Sequence, residues 1–133
     1  MRAPLAAAAL ALALTGCGTP SPDLFEVRRS GDDANANVTV LVNDGGSVTC
    51  NGTSFPLDTD RLLRARQVAR DLEPQAELLV ELPPGPDAQL SYRVRMEQGT
   101  VSFSDTSRSI PRSFQAVAGF TADVVENVCG IER

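Results

Sequence analysis

From Leu90 to Glu97 apolar and polar side chains alternate without a break, Leu90, Tyr92, Val94 and Met96 against Ser91, Arg93, Arg95 and Glu97. Successive side chains of a strand point to opposite faces, so this segment reads as a strand with one buried and one wetted face. That pattern belongs to an antiparallel sheet covered on one side only. Gln98-Gly99 supplies a turn, after which Val101 and Phe103 face inward from a partner strand and Ser102 and Ser104 outward. A lone hairpin cannot bury its apolar face, so something must cover it. A cover follows at once. Pro111 suits the first turn of a helix, and Phe114, Val117, Ala118, Thr121, Val124 and Val128 recur at helical spacing until Gly130 stops it.

The first half repeats the theme. Phe25, Val27 and Arg29 alternate with Glu26 and Arg28 in a first strand that ends at Ser30-Gly31, and a polar loop runs to Asn37. Val38 to Val42 is β-branched, Asn43-Asp44-Gly45-Gly46 is a turn signal, and Val48 and Cys50 alternate with Ser47 and Thr49 on the return strand. Asp58-Thr59-Asp60 offers capping oxygens to a helix whose stripe is Leu62, Ala65, Val68, Ala69 and Leu72, with Pro74 predicted to end it. Ala76 to Leu82 reads as a short extra strand, closed by the rigid Pro83-Pro84-Gly85-Pro86 loop. Hairpins followed by single helices predict an α+β fold: an antiparallel sheet of four to six strands, two helices packed on one face, and two β-hairpin–helix units. The expected core is Val40, Val48, Leu62, Leu72, Tyr92, Val94, Val101, Phe103, Val117 and Val124. An echo at an offset of 53 residues pairs Gly46 with Gly99, Val48 with Val101 and Thr53-Ser54 with Thr106-Ser107. It also pairs Leu41 with Val94, which puts the wrong side of the Val38–Val42 strand inward.

The N-terminus carries a different message. Arg2 precedes an uncharged Ala/Leu-rich run from Pro4 to Leu14, which leads into Leu14-Thr15-Gly16-Cys17. A membrane span needs about 20 apolar residues, and Gly16, Gly18 and Pro20 interrupt this run well before that. The segment is a signal-peptide pattern, and its last four residues resemble the lipobox of bacterial lipoproteins. The resemblance implies cleavage before Cys17 and a diacylglyceryl thioether on its sulfur, with small residues at Thr15 and Gly16 admitting the enzymes. An ordinary secretory signal and an uncleaved anchor are the competing readings. On the lipoprotein reading, residues 1–16 are the signal peptide, 17–22 a lipidated tether and 23–133 a single domain. The protein then sits on the extracytoplasmic face of the cell membrane, its acyl chains (palmitate among them) giving lasting attachment.

Of three cysteines, lipid on Cys17 leaves Cys50 and Cys129. An even remainder in an oxidising compartment reads as one disulfide. Closing a loop of about 80 residues is worth roughly 4–5 kcal/mol in the chain-entropy view.

Composition narrows the chemistry. All 12 basic residues are arginine, and the chain has neither Lys nor His. Removing the signal peptide leaves 11 arginines against 17 acidic residues, a net charge of −6. Such a domain has no general attraction for nucleic acid. Without His or Lys it has no Ser-His-Asp triad, Cys-His pair, imidazole metal site or Schiff base. No cofactor, metal or enzymatic activity is expected; a small carboxylate-based hydrolase remains an alternative, though Trp is absent and aromatics are 5%.

Candidate sites each have a plainer reading. Arg61, Arg64, Arg66 and Arg70 could form an anion-binding ridge or a solvated face with intrahelical pairs. Asp58 and Asp60 resemble part of a metal loop or a helix cap. Asp105, Thr106, Ser107 and Arg108, just before a helix start, form a possible binding loop or ordinary turn chemistry. Asn37-Val38-Thr39 and Asn51-Gly52-Thr53 fit the N-glycosylation pattern, which means little in a bacterial lipoprotein. From Asp23 onward, Asp23-Leu24-Phe25, Asn43-Asp44-Gly45-Gly46 with Cys50-Asn51-Gly52, Leu82-Pro83-Pro84-Gly85-Pro86 and Tyr92 through Ser107 are similar to small uncharacterised lipoproteins of high-GC Gram-positive bacteria. That resemblance implies a shared fold and no mechanism. The functional expectation is a membrane-anchored envelope lipoprotein, non-enzymatic, binding a protein or glycan partner. An inhibitor of extracellular hydrolases, inserting Leu82 to Asp87, is the alternative.

Overall fold

Apolar residues at every second position give each strand one face to bury, and backbone pairing aligns those faces. The computed structural model describes residues 21–133; the signal segment, Cys17 and most of the tether lie outside the described residues. Six strands form one antiparallel sheet: β1 (Asp23–Gly31), β2 (Val38–Asn43), β3 (Ser47–Cys50), β4 (Thr53–Pro56), β5 (Leu90–Met96) and β6 (Gly99–Ser104). Their spatial order is β4-β3-β2-β1-β5-β6. Register places Val27 opposite both Val40 and Val94, Val42 opposite Val48, Val94 opposite Val101, and Tyr92 opposite Phe103. All of these are buried in one cluster with the apolar sides of α1 (Thr59–Glu77) and α2 (Arg112–Asn127). This is the α+β arrangement expected, with both helices on one face.

Of the ten expected core residues, only Leu62 is half-buried rather than buried. Aromatic contacts tie α2 to the sheet. Phe103 stacks between Tyr92 and Phe114 at centroid distances of 4.8 and 4.9 Å, and Phe120 meets Phe25 edge-on at 5.9 Å. Phe120 and Val125, both fully buried, lie outside the stripe drawn from spacing alone and make it wider. Cys50, at the end of β3, is bonded to Cys129 just beyond α2, with their Cα atoms 6.3 Å apart. The disulfide therefore clamps the helical layer onto the sheet.

Three local expectations need correction. Pro74 does not end α1, which continues to Glu77. Proline removes one donor and crowds the preceding turn, but burial of Leu72 and Ala76 on both sides of it carries the helix through. The helix is closed by Leu79 and Val80 N–H groups donating to Ala76 and Gln75 carbonyls at 3.0 and 3.1 Å. Ala76 to Leu82 is accordingly not a strand. Only Val80–Leu82 runs beside β6, where Ser102 N–H donates to Val80 O and Leu82 N–H to Ser102 O. Pro83 and Pro84 then have no N–H with which to extend the pairing. This short rail still covers part of the β6 edge, while the opposite edge is the four-residue β4 ending in Pro56, a length and composition that discourage further pairing.

The third correction is β4 itself. Asn51 and Gly52 both have positive φ, 48° and 88°, the backbone a two-residue hairpin turn requires. Asn51 Oδ1 also accepts the Thr39 N–H at 2.9 Å, bracing the turn against β2. The two hairpin–helix units are thus β3-β4-α1 and β5-β6-α2, with β2 and β1 between them. The offset of 53 carries β2 onto β5, β3 onto β6 and the start of α1 onto the start of α2, but the residue matches do not follow it throughout: Val40 and Val42, not Leu41, face the core, and Thr53-Ser54 lie in a strand where Thr106-Ser107 lie in a turn.

Candidate functional site

The helices leave the other face of the sheet open. Strand alternation places Glu26 and Arg28 of β1 and Arg93 and Arg95 of β5 there, side by side. Register sets Glu26 opposite Arg95 and Arg28 opposite Arg93. Glu26, with only 13% of its side chain exposed, lies between two arginines: Arg28 Nε donates to Oε1 at 3.0 Å and Arg95 Nη2 to Oε2 at 3.2 Å. Arg93 has no ion pair among the described residues. Like charges directly opposite on neighbouring strands destabilise a sheet, so the Arg28–Arg93 juxtaposition has no structural gain to explain it. A shallow depression continues from Arg28 and Arg93 across Ser30, Ser91 and Ser102 to a wall made by Leu82 and Pro84. Guanidinium forks and hydroxyls suit carboxylate or phosphate oxygens, which they hold by charge-assisted, often bidentate hydrogen bonds.

The α1 arginines are arranged otherwise. Arg61 joins the helices, Nε and Nη2 donating to the two carboxylate oxygens of Asp123 at 2.9 and 3.1 Å while Nη1 reaches Asp58 at 2.7 Å. Arg64 Nη1 also donates to Asp123, at 3.2 Å, and its guanidinium lies 5.7 Å from the centroid of the Phe120 ring. Hydrogen bonds from Arg61 and Asn127 hold the Asp123 carboxyl down at about 2, and the bonds to Asp123 and Asp58 raise Arg61 above its usual value. Arg66 binds Asp44 in the β2–β3 turn at 2.6 Å, and Arg70 donates to Gln67. The pairing expected on this helix is present but is chiefly between elements rather than within α1. Asp58 acts as the helix cap, its Oδ1 accepting the Arg61 N–H at 2.9 Å, and that bond lowers its pKa.

The Asp105–Arg108 loop is bound up in its own turn. Ser107 is buried; its Oγ accepts the Ser104 N–H and donates to Pro83 O, both at 2.9 Å. Asp105 Oδ1 accepts the Gln89 N–H at 3.1 Å, and Thr106 N–H donates to Ser104 Oγ at 3.3 Å. Arg108 is exposed. The proline loop is pinned to this turn: a Cβ on Gly85 would come within 1.9 Å of Thr106 O, so only glycine permits that approach. The disulfide cysteines Cys50 and Cys129 sit on the covered face; Cys17 lies outside the described residues.

Sequence reading did not single out Arg28, Arg93 and Arg95. The signal was present in the alternation, since the wet positions of two strands carry arginine, but only the β1–β5 pairing sets them beside one another. No protein-family model matches the chain, and no match was found among curated proteins or among solved structures.

Proposed function

We propose that the chain is a lipid-anchored lipoprotein of the bacterial envelope, held through Cys17 on the extracytoplasmic face of the membrane, where it binds a protein or glycan partner without catalysing a reaction. The observation that carries this reading is Leu14-Thr15-Gly16-Cys17 standing directly before a folded domain. Two features support it. Ser21 O accepts from Asn43 Nδ2 at 2.8 Å and Pro22 O from the Asp44 N–H at 2.9 Å, so the chain is attached to the β2–β3 turn within four residues of Cys17. Four residues reach at most about 14 Å, which keeps that end of the sheet near the lipid. The Cys50–Cys129 disulfide suits an oxidising compartment. No helix among the described residues is long and apolar enough to cross a membrane. For binding, the support is an uncovered sheet face on which Arg28, Arg93 and Arg95 surround Glu26. The pinned proline loop offers less to the inhibitor reading, which calls for a projecting segment.

The test is metabolic labelling with an alkyne-bearing fatty acid, followed by fractionation. The wild-type protein takes up label and stays with membranes; Cys17→Ala takes up none and is released. Label on Cys17→Ala, or its retention in the membrane, would sink the anchor. Crosslinking in live cells tests the partner, and failure of wild type to enrich any protein or glycan over Cys17→Ala counts against it.

A further inference from the structure

We propose that the open sheet face around Arg93 docks an extended acidic segment of a partner protein. The inference rests on the binding-module reading above and specifies its surface and its chemistry.

Charge complementarity carries it. The chain as a whole is acidic, at −5, yet Arg28, Arg93 and Arg95 gather on this face around Glu26, with Glu97 only at the far end, beyond Arg95. The arginines of α1 are tied to acceptors, whereas Arg93 has no acidic partner among the described residues. Placing it opposite Arg28 costs stability, and a bound carboxylate reverses that cost. Spacing favours a polypeptide. Arg93 and Arg95 stand two residues apart on one strand, about 6.8 Å, the same interval that separates same-face side chains of an extended peptide. Such a peptide, with acidic residues at alternate positions, can present a carboxylate to each guanidinium. Beyond Arg93 the Leu82 and Pro84 wall offers an apolar contact to a further sheet-facing residue of the peptide. A uniform polyanion would have to lay charge over Glu26, and a neutral glycan would find no aromatic platform, because Tyr92 and Phe103 both turn to the core.

The experiment uses the full chain in non-ionic detergent and reads fluorescence anisotropy of a labelled peptide alternating Glu and Thr. A Gln/Thr peptide and polyphosphate serve as competing probes. The Glu/Thr peptide is expected to bind, more weakly as salt rises, and the Gln/Thr peptide not to bind. Arg93→Gln is expected to weaken binding about tenfold or more, the loss of a charge-assisted hydrogen bond. Arg70→Gln, an exposed change on α1, leaves it unchanged. Ser91→Glu, which puts a negative charge on the same face without removing any contact seen there, weakens binding too and guards against a folding effect of the first variant. No binding of the acidic peptide, binding of polyphosphate alone, or equal losses in Arg93→Gln and Arg70→Gln would overturn the proposal. Since affinity is read in solution, such a failure leaves the Cys17 labelling result standing.

Discussion

Arg28 and Arg29 are neighbours in β1 and end up in opposite surroundings. Arg29 points to the covered face and is only 4% exposed; its Nε donates to Ala36 O at 2.9 Å and its Nη2 to Asn35 O at 3.1 Å, so it holds the Ala34–Ala36 turn against the sheet. Burial lowers its pKa. Arg28 points to the open face with 66% of its side chain exposed, sharing Glu26 with Arg95 beside Arg93, which has no ion pair among the described residues. The difference teaches that arginine on the helix-covered side serves structure, its donors spent on carbonyls. On the bare side the charge exceeds what the fold consumes. Substitutions on the two faces should therefore separate cleanly into stability effects and binding effects.

The largest effect belongs to the covered face. Cys129→Ser removes the clamp between β3 and α2 and should lower stability by roughly 4–5 kcal/mol, read by urea unfolding; a midpoint unchanged from the oxidised wild type would contradict this. Phe120→Ala follows at about 3–5 kcal/mol, because Phe120 is fully buried against Phe25. Next comes Arg29→Ala, which leaves the carbonyls of Asn35 and Ala36 without their donors and should cost about 1–3 kcal/mol. A neutral result there would break the contrast between Arg29 and its exposed neighbours.

Asp123 provides a smaller, pH-resolved effect. Its folded pKa of about 2 lies below the ordinary 3.8, so the ionised form is favoured by folding. The stabilisation is complete above the unfolded pKa and disappears as pH falls through 4 toward 2. Allowing for solvent screening, Asp123→Asn should be less stable than wild type by about 1 kcal/mol at pH 7, with the gap closing over that acid range in urea titrations. A gap that persists at pH 2 would mean that packing, not charge, is responsible. The smallest effect is on the open face: Arg93→Gln should change stability by less than about 0.5 kcal/mol, in the stabilising direction because it relieves Arg28. A loss of several kcal/mol would show that Arg93 is structural after all.

Much of this fold was legible in the residues. The β5–β6 hairpin, the α2 stripe and the inward set of β1 follow from alternation with period two and from helical spacing. Where the reading failed, a stronger local signal or a tertiary contact decided. Asn51-Gly52 is a hairpin turn by its own chemistry, but the same residues also fit a glycosylation pattern, and the short, largely exposed β4 carries no alternation of its own to reveal the turn. Pro74 carries a real helix-stopping tendency, overridden by burial of Leu72 and Ala76. The candidate loop at Asp105–Arg108 was visible as a cluster of polar residues; that Ser107 turns inward to Pro83 was not, since nothing local brings the two 24 positions apart together.

The sequence by itself determined the class of fold, the inward face of most strands and the absence of His and Lys, because each depends on period, count or residue type. Only the tertiary structure decided that α1 arginines pair with Asp123 and Asp44. The alignment of Arg28 with Arg93 was decided there too. These depend on which strands become neighbours and in what register, a choice made by the packing of the whole core rather than by any one segment.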